Sequence, residues 1–348
     1  LKVYQYHHLN FGYSALPMFS QNYHGQSLDI IKETPHFTFP GNAGYDGQFY
    51  AQLALHPDAK GPEIEQALDN YSYRARRILF SWTAWAFGFG NPYWIIQAYA
   101  IQNALFWVLT AALLLRWLPP QSGQNTLRFL FCLFTTGLVY SFNRALLDGP
   151  SLFLIALGAL CIESNRSWLG AAILGLAGLG KETNLLAITA LWKPNAKDSQ
   201  SKTRIVCQAT LATLPFILWY AYILSSNTDR ISETVGLRNF ALPLVGFFST
   251  ALQILKEGGE TGFPARMYAQ FAMLASLIIQ GAYLLFRPKP DRVWWRIGVT
   301  FTVLMLILGD AVWAGVEAAP RVLLPMTIAF NILFSRKFVF LPILFMAN

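Results

Sequence analysis

The sequence predicts an all-α protein that crosses a membrane many times. Of its 348 residues, 54% are apolar and 15% are aromatic, but only 13% are charged, against about 25% in ordinary soluble domains. A chain with so few charges cannot cover a soluble globule of this size with charged side chains. In addition, long apolar runs recur from residue 93 to the end. These two observations favour a polytopic membrane protein.

The apolar runs define the predicted spans. A transmembrane helix needs roughly 20 apolar residues, and fewer when it is short or broken. The predicted spans cover residues 93–116, 128–147, 149–163, 168–180, 182–192, 205–225, 265–286, 296–316, 320–335 and 338–347. Residues 240–255, with an internal Pro243, are expected to lie on or dip into the outer interface instead of crossing.

Basic residues orient these spans. The loops at residues 116–128, 163–166, 193–204, 287–296 and 336–337 hold 13 of the 26 Lys and Arg residues but only 3 of the 18 Asp and Glu residues. Since cytoplasmic loops are enriched in Lys and Arg, these loops are predicted to be cytoplasmic. The outer face then receives residues 1–77, 141–150, 180–183, 225–264 and 317–321. The net charge of +8 is largely this bias, and no nucleic-acid partner is indicated.

Two regions follow from this topology. Residues 1–77 are expected to form an extracytoplasmic first loop with an acidic turn and an interfacial helix, and residues 78–348 a transmembrane helical domain. Because the polar first loop has no span ahead of it, we expect a further transmembrane helix before Leu1. The segment Leu1-Lys2-Val3-Tyr4 would lie at the outer end of that helix.

The acidic turn in the first loop is the strongest chemical signal. Its sequence is Gly44-Tyr45-Asp46-Gly47-Gln48-Phe49-Tyr50. Gly44 and Gly47 permit a tight turn, and a carboxylate presented on such a turn is suited to act as a general base. The alternative is a structural turn in which Asp46 bonds to its own backbone.

Basic and aromatic residues come next. The segment from Asp69 to Arg77 leads into an apolar stretch that ends before Gly88-Phe89-Gly90-Asn91-Pro92. This pattern predicts an amphipathic helix in the membrane interface, with Arg74, Arg76 and Arg77 at headgroup level. The three arginines either contribute to a substrate site or serve only as generic anchors to lipid headgroups.

Taken together, these features resemble the GT-C superfamily of membrane glycosyltransferases. The resemblance is carried by the acidic turn, the interfacial segment, Gly90-Asn91-Pro92 before a long span, and the later break Gly180-Lys181-Glu182-Thr183. It is greatest to bacterial members with a Tyr-Asp-Gly-Gln-Phe-Tyr motif and covers about Asn10 to Pro325. It implies a GT-C-like bundle of about ten or eleven transmembrane helices in a bacterial cytoplasmic membrane, with its active site facing outward.

The resemblance also implies an activity. The family transfers a sugar from a polyprenyl-phosphate carrier to a glycan, lipid or protein acceptor, and a carboxylate of the first outer loop acts as general base, which maps onto Asp46. Inverting transfer needs such a base to take the proton of the acceptor hydroxyl. Substrate binding is assigned to Tyr45, Gln48, Tyr50, Arg74, Arg77, Asp148, Lys181, Glu182 and Arg321.

Alternatives remain open for the later residues. Arg321 is expected to grip the lipid phosphate with its guanidinium, unless it snorkels to the interface. Lys181 interrupts two short apolar pieces and is expected to neutralise phosphate, with Glu182 paired to it or to Arg144; an internal salt bridge is the rival. Asp148 either orients the acceptor, holds a cation, or caps the helix that begins at Pro150.

No cofactor is required by the sequence. The five histidines show no ligand spacing, although a divalent cation could bind carboxylates such as Asp46 and Asp148. Cys132, Cys161 and Cys207 lie in or beside apolar segments and are predicted to be buried, inert thiols.

Two other functions fit a many-span chain. A lipid or sugar transporter would show internal repeats with matching broken helices, but a single break, at Lys181, stands out here. A non-catalytic scaffold subunit would have no use for an outer carboxylate aligned with cations. The transferase hypothesis requires that Asp46, Lys181 and Arg321 converge on one cavity.

Overall fold

The fold is known from a computed structural model that describes residues 6–41, 44–194, 199–225, 239–261, 264–335 and 341–348, with the side chains of residues 260–261 excepted. Some expectations concern residues outside this set: the segment before Tyr6, the basic pair Arg336 and Lys337, residues 226–238 and 262–263 of the loop at 225–264, and parts of the loop at 193–204 and of the span at 338–347.

The first region contains short elements. Two parallel strands, β1 (Phe19–Ser20) and β2 (Thr38–Phe39), pair with each other, which adds a small sheet to the predicted all-α fold. A 3₁₀ helix covers Gln21–Gln26. The α-helices are α1 (Asp29–Glu33), α2 (Gly47–Leu55), α3 (Pro62–Ala67), α4 (Tyr71–Ala75) and α5 (Leu79–Phe87).

The remainder of the described chain is helical. Its elements are α6 (Pro92–Leu114), α7 (Gly123–Leu133), α8 (Thr136–Asn143), α9 (Asp148–Glu163), α10 (Ser167–Gly180), a 3₁₀ helix (Glu182–Leu191), α11 (Ser199–Ser225), α12 (Val245–Thr261), α13 (Ala265–Phe286), α14 (Val293–Leu306), α15 (Asp310–Trp313), α16 (Ala318–Val322), α17 (Leu324–Leu333) and α18 (Leu341–Met346).

Local sequence explains where several helices begin. Asn91 caps α6 by accepting a hydrogen bond from the Trp94 N–H, and Pro92 occupies the first turn, where its missing N–H costs nothing. Ser122 caps α7 in the same way through the Asn125 N–H. Between α10 and the following 3₁₀ helix, Lys181 adopts an extended conformation, which ends α10 within the predicted break.

Three helices of the described chain are long and apolar enough to cross a membrane: α6, α11 and α13. The other predicted spans are shorter pieces. The span at 128–147 is divided into α7 and α8, the span at 296–316 ends as a continuous helix at Leu306, and the span at 182–192 is a 3₁₀ helix. Apolar composition alone does not report such interruptions, because loop residues between buried helices are also apolar.

The hydrophobic core has two principal parts. One joins the first region to the start of the helical domain, packing Leu16, Phe49 and Ala75 with Phe80 and Tyr99. The other fills the space among the later helices, from Leu114 to Leu333. The first core therefore crosses residue 77, the expected boundary between the two regions. Cys132 and Cys161 are buried, but Cys207 is exposed, which corrects the prediction of three buried thiols.

Four described helices run between two cavities. Asp148, Lys181, Glu182 and Leu304 line one cavity, and the opposite ends of the same helices, at Glu163, Ser167, Leu191 and Val293, line the other. The first cavity draws residues from all five segments predicted to lie on the outer face, and the second from four of the five basic loops. Segments grouped by charge in the sequence thus lie together in space.

Candidate functional site

The main cavity is the one at the end of the molecule that the predicted outer segments share. Its volume is about 410 Å³. One wall is apolar and includes Phe240, Leu304, Leu308 and Val312. The charged residues that line it are Asp46, Arg76, Arg77, Asp148, Lys181, Glu182 and Arg321. Asp46, Lys181 and Arg321 therefore meet in one cavity.

Asp46 is positioned by the turn that precedes α2. Gly44 has a positive φ of 71°, a conformation that glycine adopts without strain, and the Tyr45 N–H bonds to the Met18 carbonyl at 3.3 Å. The Asp46 Oδ1 atom accepts a hydrogen bond from Arg74 Nη2 at 2.9 Å. The carboxylate is thus directed to a distant arginine, which disfavours the alternative of a turn closed by Asp46 on its own backbone.

Arg74 is held from two sides. Besides Asp46, it binds Asp69 through two parallel hydrogen bonds, Nε to Oδ1 at 2.8 Å and Nη2 to Oδ2 at 2.7 Å. Arg74 is only 5% exposed and Arg77 only 6%. Both side chains are therefore paired with carboxylates inside the protein, which disfavours the alternative that they are generic anchors to lipid headgroups. Their level in a membrane stays a prediction.

Glu182 forms the second ion-pair cluster. It accepts hydrogen bonds from Arg77 at 2.7 Å and 2.5 Å and from Arg76 at 2.8 Å. The prediction that Glu182 pairs with Lys181 or Arg144 is wrong. Lys181 is extended, and neighbouring side chains of extended backbone point to opposite sides. Tyr50 links the two clusters, since its hydroxyl accepts from both Arg74 and Arg77.

Asp148 joins the two cations expected to bind phosphate. Lys181 Nζ donates to Asp148 Oδ1 at 2.5 Å, and Arg321 Nη1 donates to Oδ2 at 3.4 Å. Asp148 is itself the first residue of α9, and Leu147 holds the capping position. The N-cap alternative is therefore replaced by an ion-pair role.

Arg321 is directed inward by Tyr45 and Glu317. Its Nη2 donates to the Tyr45 hydroxyl at 3.3 Å, and that hydroxyl donates to Glu317 at 2.8 Å. The Arg321 side chain is 13% exposed, so it does not snorkel. The guanidinium carbons of Arg144 and Arg321 lie 5.0 Å and 5.6 Å from the centre of the Tyr45 ring.

Some predicted site residues lie behind the cavity. Gln48 is buried and accepts the Ser20 N–H at 3.0 Å, so it supports the turn from within. Tyr45 and Arg74 hold lining residues in place without lining the cavity themselves. Sequence reasoning missed Asp69, Glu317 and Tyr73. Glu317 lies four residues before Arg321, a spacing that places two side chains on the same face of a helix. This spacing is a signal from which Glu317 could have been predicted.

Asp46 is the most accessible of the three carboxylates that line the cavity in the described part of the chain. Its side chain is 37% exposed, against 6% for Asp148 and 21% for Glu182. Burial alone would raise the pKa of Asp46, but the positive charge of Arg74, with Arg321 and Arg77 behind it, holds that pKa below its usual value. Asp46 is therefore an ionised carboxylate that a substrate can reach.

The described residues contain no group of three or more His, Cys, Asp or Glu placed to hold a metal ion. The main cavity offers carboxylates, but Asp148 already binds two cationic side chains. Binding of a divalent cation by Asp46 and Asp148 stays a hypothesis.

Gly47 gives a direct test of the turn. A Cβ atom at this position would overlap the carbonyl oxygen of Arg144 and lie 2.9 Å from that of Pro17. We expect Gly47→Ala to lower the free energy of unfolding by about 1 to 3 kcal/mol, measured by thermal unfolding of the purified protein. Gly25→Ala is the matched control, because a Cβ there meets nothing within 4 Å. Equal stability of the two variants would contradict the described packing of the turn.

No protein-family model, curated protein or solved structure matches this chain.

Proposed function

We propose that this protein is a membrane glycosyltransferase of GT-C type. It transfers a monosaccharide, with inversion, from a polyprenyl-phosphate donor to a glycan, lipid or protein acceptor at the outer face of the membrane. The observation that carries the proposal is that Asp46, Lys181 and Arg321, which come from three distant segments, line one cavity.

The helical architecture is compatible with a membrane-embedded enzyme. Among the described residues, three helices, α6, α11 and α13, are long and apolar enough to cross a membrane. The two cavities are connected by the shorter helices α9, α10 and α14 and by the Glu182–Leu191 helix. In the topology that we propose, these helices also cross the bilayer. The main cavity then opens toward the outer face, and the second cavity lies on the cytoplasmic side.

The cavity has the parts that a lipid-phosphate donor requires. Lys181 and Arg321 would bind the phosphate, since charge-assisted hydrogen bonds are the strongest that a protein offers to it. The apolar wall at Leu304, Leu308 and Val312 would contact the start of the isoprenoid chain. Because Lys181 and Arg321 are paired with Asp148, the phosphate would share or displace these contacts.

The chemical step then uses Asp46. The acceptor hydroxyl oxygen attacks the anomeric carbon as the bond from that carbon to the phosphate oxygen breaks. The proton of the hydroxyl passes to the Asp46 carboxylate, and the electron pair of the broken bond leaves with the lipid phosphate. The low pKa of Asp46 keeps it in the ionised form that can accept the proton.

The proposal is tested by sugar transfer in a purified system. The wild-type protein in lipid nanodiscs is incubated with a panel of labelled polyprenyl-phosphate sugars and with soluble and lipid acceptors. We expect a labelled product whose anomeric configuration is inverted. If no donor yields transfer or hydrolysis, the transferase proposal fails. Movement of labelled lipid across sealed vesicles would then identify a transporter, and absence of both activities would favour a scaffold subunit.

Lys181 supplies a second test of the phosphate site. We expect Lys181→Gln to raise the KM for the lipid-phosphate donor about tenfold, the equivalent of roughly 1.4 kcal/mol, because one of two phosphate-binding cations is lost. The measurement is the dependence of the initial transfer rate on donor concentration. Lys32→Gln is the control, since Lys32 pairs with Asp29 on the surface. An unchanged KM in Lys181→Gln would remove Lys181 from the donor site.

A further inference from the structure

The second cavity gathers basic residues at the end of the bundle opposite to the main cavity. Its volume is about 620 Å³. Arg116 follows α6, Lys193 follows the Glu182–Leu191 helix, and Arg292 and Arg296 lie at the start of α14. We call this site the basic cavity.

Positive charge in the basic cavity exceeds negative charge. Among the residues described, the four cations face two lining carboxylates, Glu163 and Asp291. Glu163 accepts a hydrogen bond from the Trp117 indole at 2.8 Å. Within the described part of the chain, none of the four cations forms a salt bridge with a carboxylate. The main cavity differs, because Lys181, Arg321, Arg76 and Arg77 all have carboxylate partners there.

Arg296 points to an anionic ligand. It is only 7% exposed, and its two terminal nitrogens donate to backbone carbonyls, those of Pro290 at 2.7 Å and Ala190 at 2.8 Å. Its buried Nε atom has no hydrogen-bond acceptor among the described residues. A buried donor without an acceptor is costly, and an oxygen of a ligand in the cavity would satisfy it.

Two helix N-termini reinforce this charge. Both α10, which begins at Ser167, and α14, which begins at Val293, start at the cavity lining. The first turn of a helix presents N–H groups and the positive end of the helix dipole, which together favour a bound anion. The basic side chains and the backbone N–H groups of these helices therefore both favour a bound anion.

We propose that the basic cavity binds a phosphate group. Arginines bind phosphate with their planar set of donors, and basic pockets between membrane helices on the cytoplasmic side bind the headgroups of anionic lipids. The phosphate belongs either to such a headgroup or to a soluble phosphate. This site is separate from the main cavity and does not depend on the proposed transferase activity.

The test compares two double variants of the purified, full-length protein. Arg116→Gln/Arg292→Gln removes two exposed lining cations, and Lys202→Gln/Arg287→Gln removes two exposed cations outside the lining. Calorimetric titration with inorganic phosphate in detergent measures the soluble source. Native mass spectrometry after extraction from vesicles of phosphatidylglycerol and phosphatidylcholine measures retained headgroups.

We expect the first double variant to bind phosphate, or to retain phosphatidylglycerol, at least about tenfold more weakly than wild type, and the control double variant to behave as wild type. A loss in the titration assigns the site to soluble phosphate, and a loss in lipid retention assigns it to a headgroup. Equal binding by both double variants, or no binding by wild type in either arm, overturns the proposal. Transfer activity, measured in parallel, reports separately on the main cavity.

Discussion

Replacing Asp46 with asparagine is expected to lower kcat for sugar transfer by about 10²- to 10⁴-fold. Asparagine has nearly the same shape but cannot take a proton from the acceptor hydroxyl. Arg74 keeps its two hydrogen bonds to Asp69 in the variant, so this buried arginine still has a carboxylate partner. The measurement is the initial rate at saturating donor and acceptor, with the KM for the donor expected to change little.

Asp69→Asn is the matched control for this prediction. Asp69 also binds Arg74 but does not line the main cavity, so its loss weakens the support of Asp46 without removing the base. We expect its kcat to fall by less than about tenfold. Full activity in Asp46→Asn would exclude Asp46 as the base. A similar large loss in both variants would instead indicate that the Arg74 cluster acts only by maintaining structure.

The second large effect concerns stability. Glu182→Gln removes the carboxylate that binds Arg76 and Arg77, and the Arg77 side chain is only 7% exposed. Loss of one partner from a buried ion pair leaves an uncompensated charge and costs about 3 to 5 kcal/mol. We expect a decrease of about 3 kcal/mol in the free energy of unfolding, measured by chemical unfolding in detergent with tryptophan fluorescence.

Glu63→Gln is the comparison for the stability change. Glu63 is exposed in the first turn of α3, where a substitution usually changes stability by less than about 0.5 kcal/mol. If Glu182→Gln and Glu63→Gln unfold at the same denaturant concentration, the Glu182 cluster does not stabilise the fold. The ion pairs of Glu182 with Arg76 and Arg77 would then contribute to ligand binding and not to stability.

The arrangement of the main cavity was largely predictable because charge sorts the loops of a membrane protein. The excess of Lys and Arg in one set of loops assigned Asp46, Asp148, Lys181 and Arg321 to a common side, and the structure places all four in or around one cavity. Charged residues in so apolar a chain are expected at its water-exposed ends, where they remain hydrated, so those assigned to the same end are expected to lie near one another.

The partners within the cavity were not predictable in the same way. Glu182 binds Arg76 and Arg77, more than 100 residues away in sequence, and the choice between them and Lys181 depends on which way each side chain leaves the backbone. That direction is set by the extended Lys181, and composition carries no signal for it. The end of α14 at Leu306 was not predicted, for a different reason. Ile307 and Leu308, which follow it, are apolar, so the apolar composition continues past the end of the helix.

The lengths of the helices that connect the two cavities have a consequence for the surrounding lipid. At 1.5 Å per residue, α10 and α14, with 14 residues each, are about 21 Å long, whereas the 23-residue α6 reaches about 35 Å. A bilayer has a hydrocarbon core of about 30 Å. In the topology that we propose, the short helices bring the two aqueous ends of the protein closer together than the membrane thickness. A bilayer can accommodate such short spans by thinning beside them, and thinning there would shorten the path of a lipid headgroup to the main cavity.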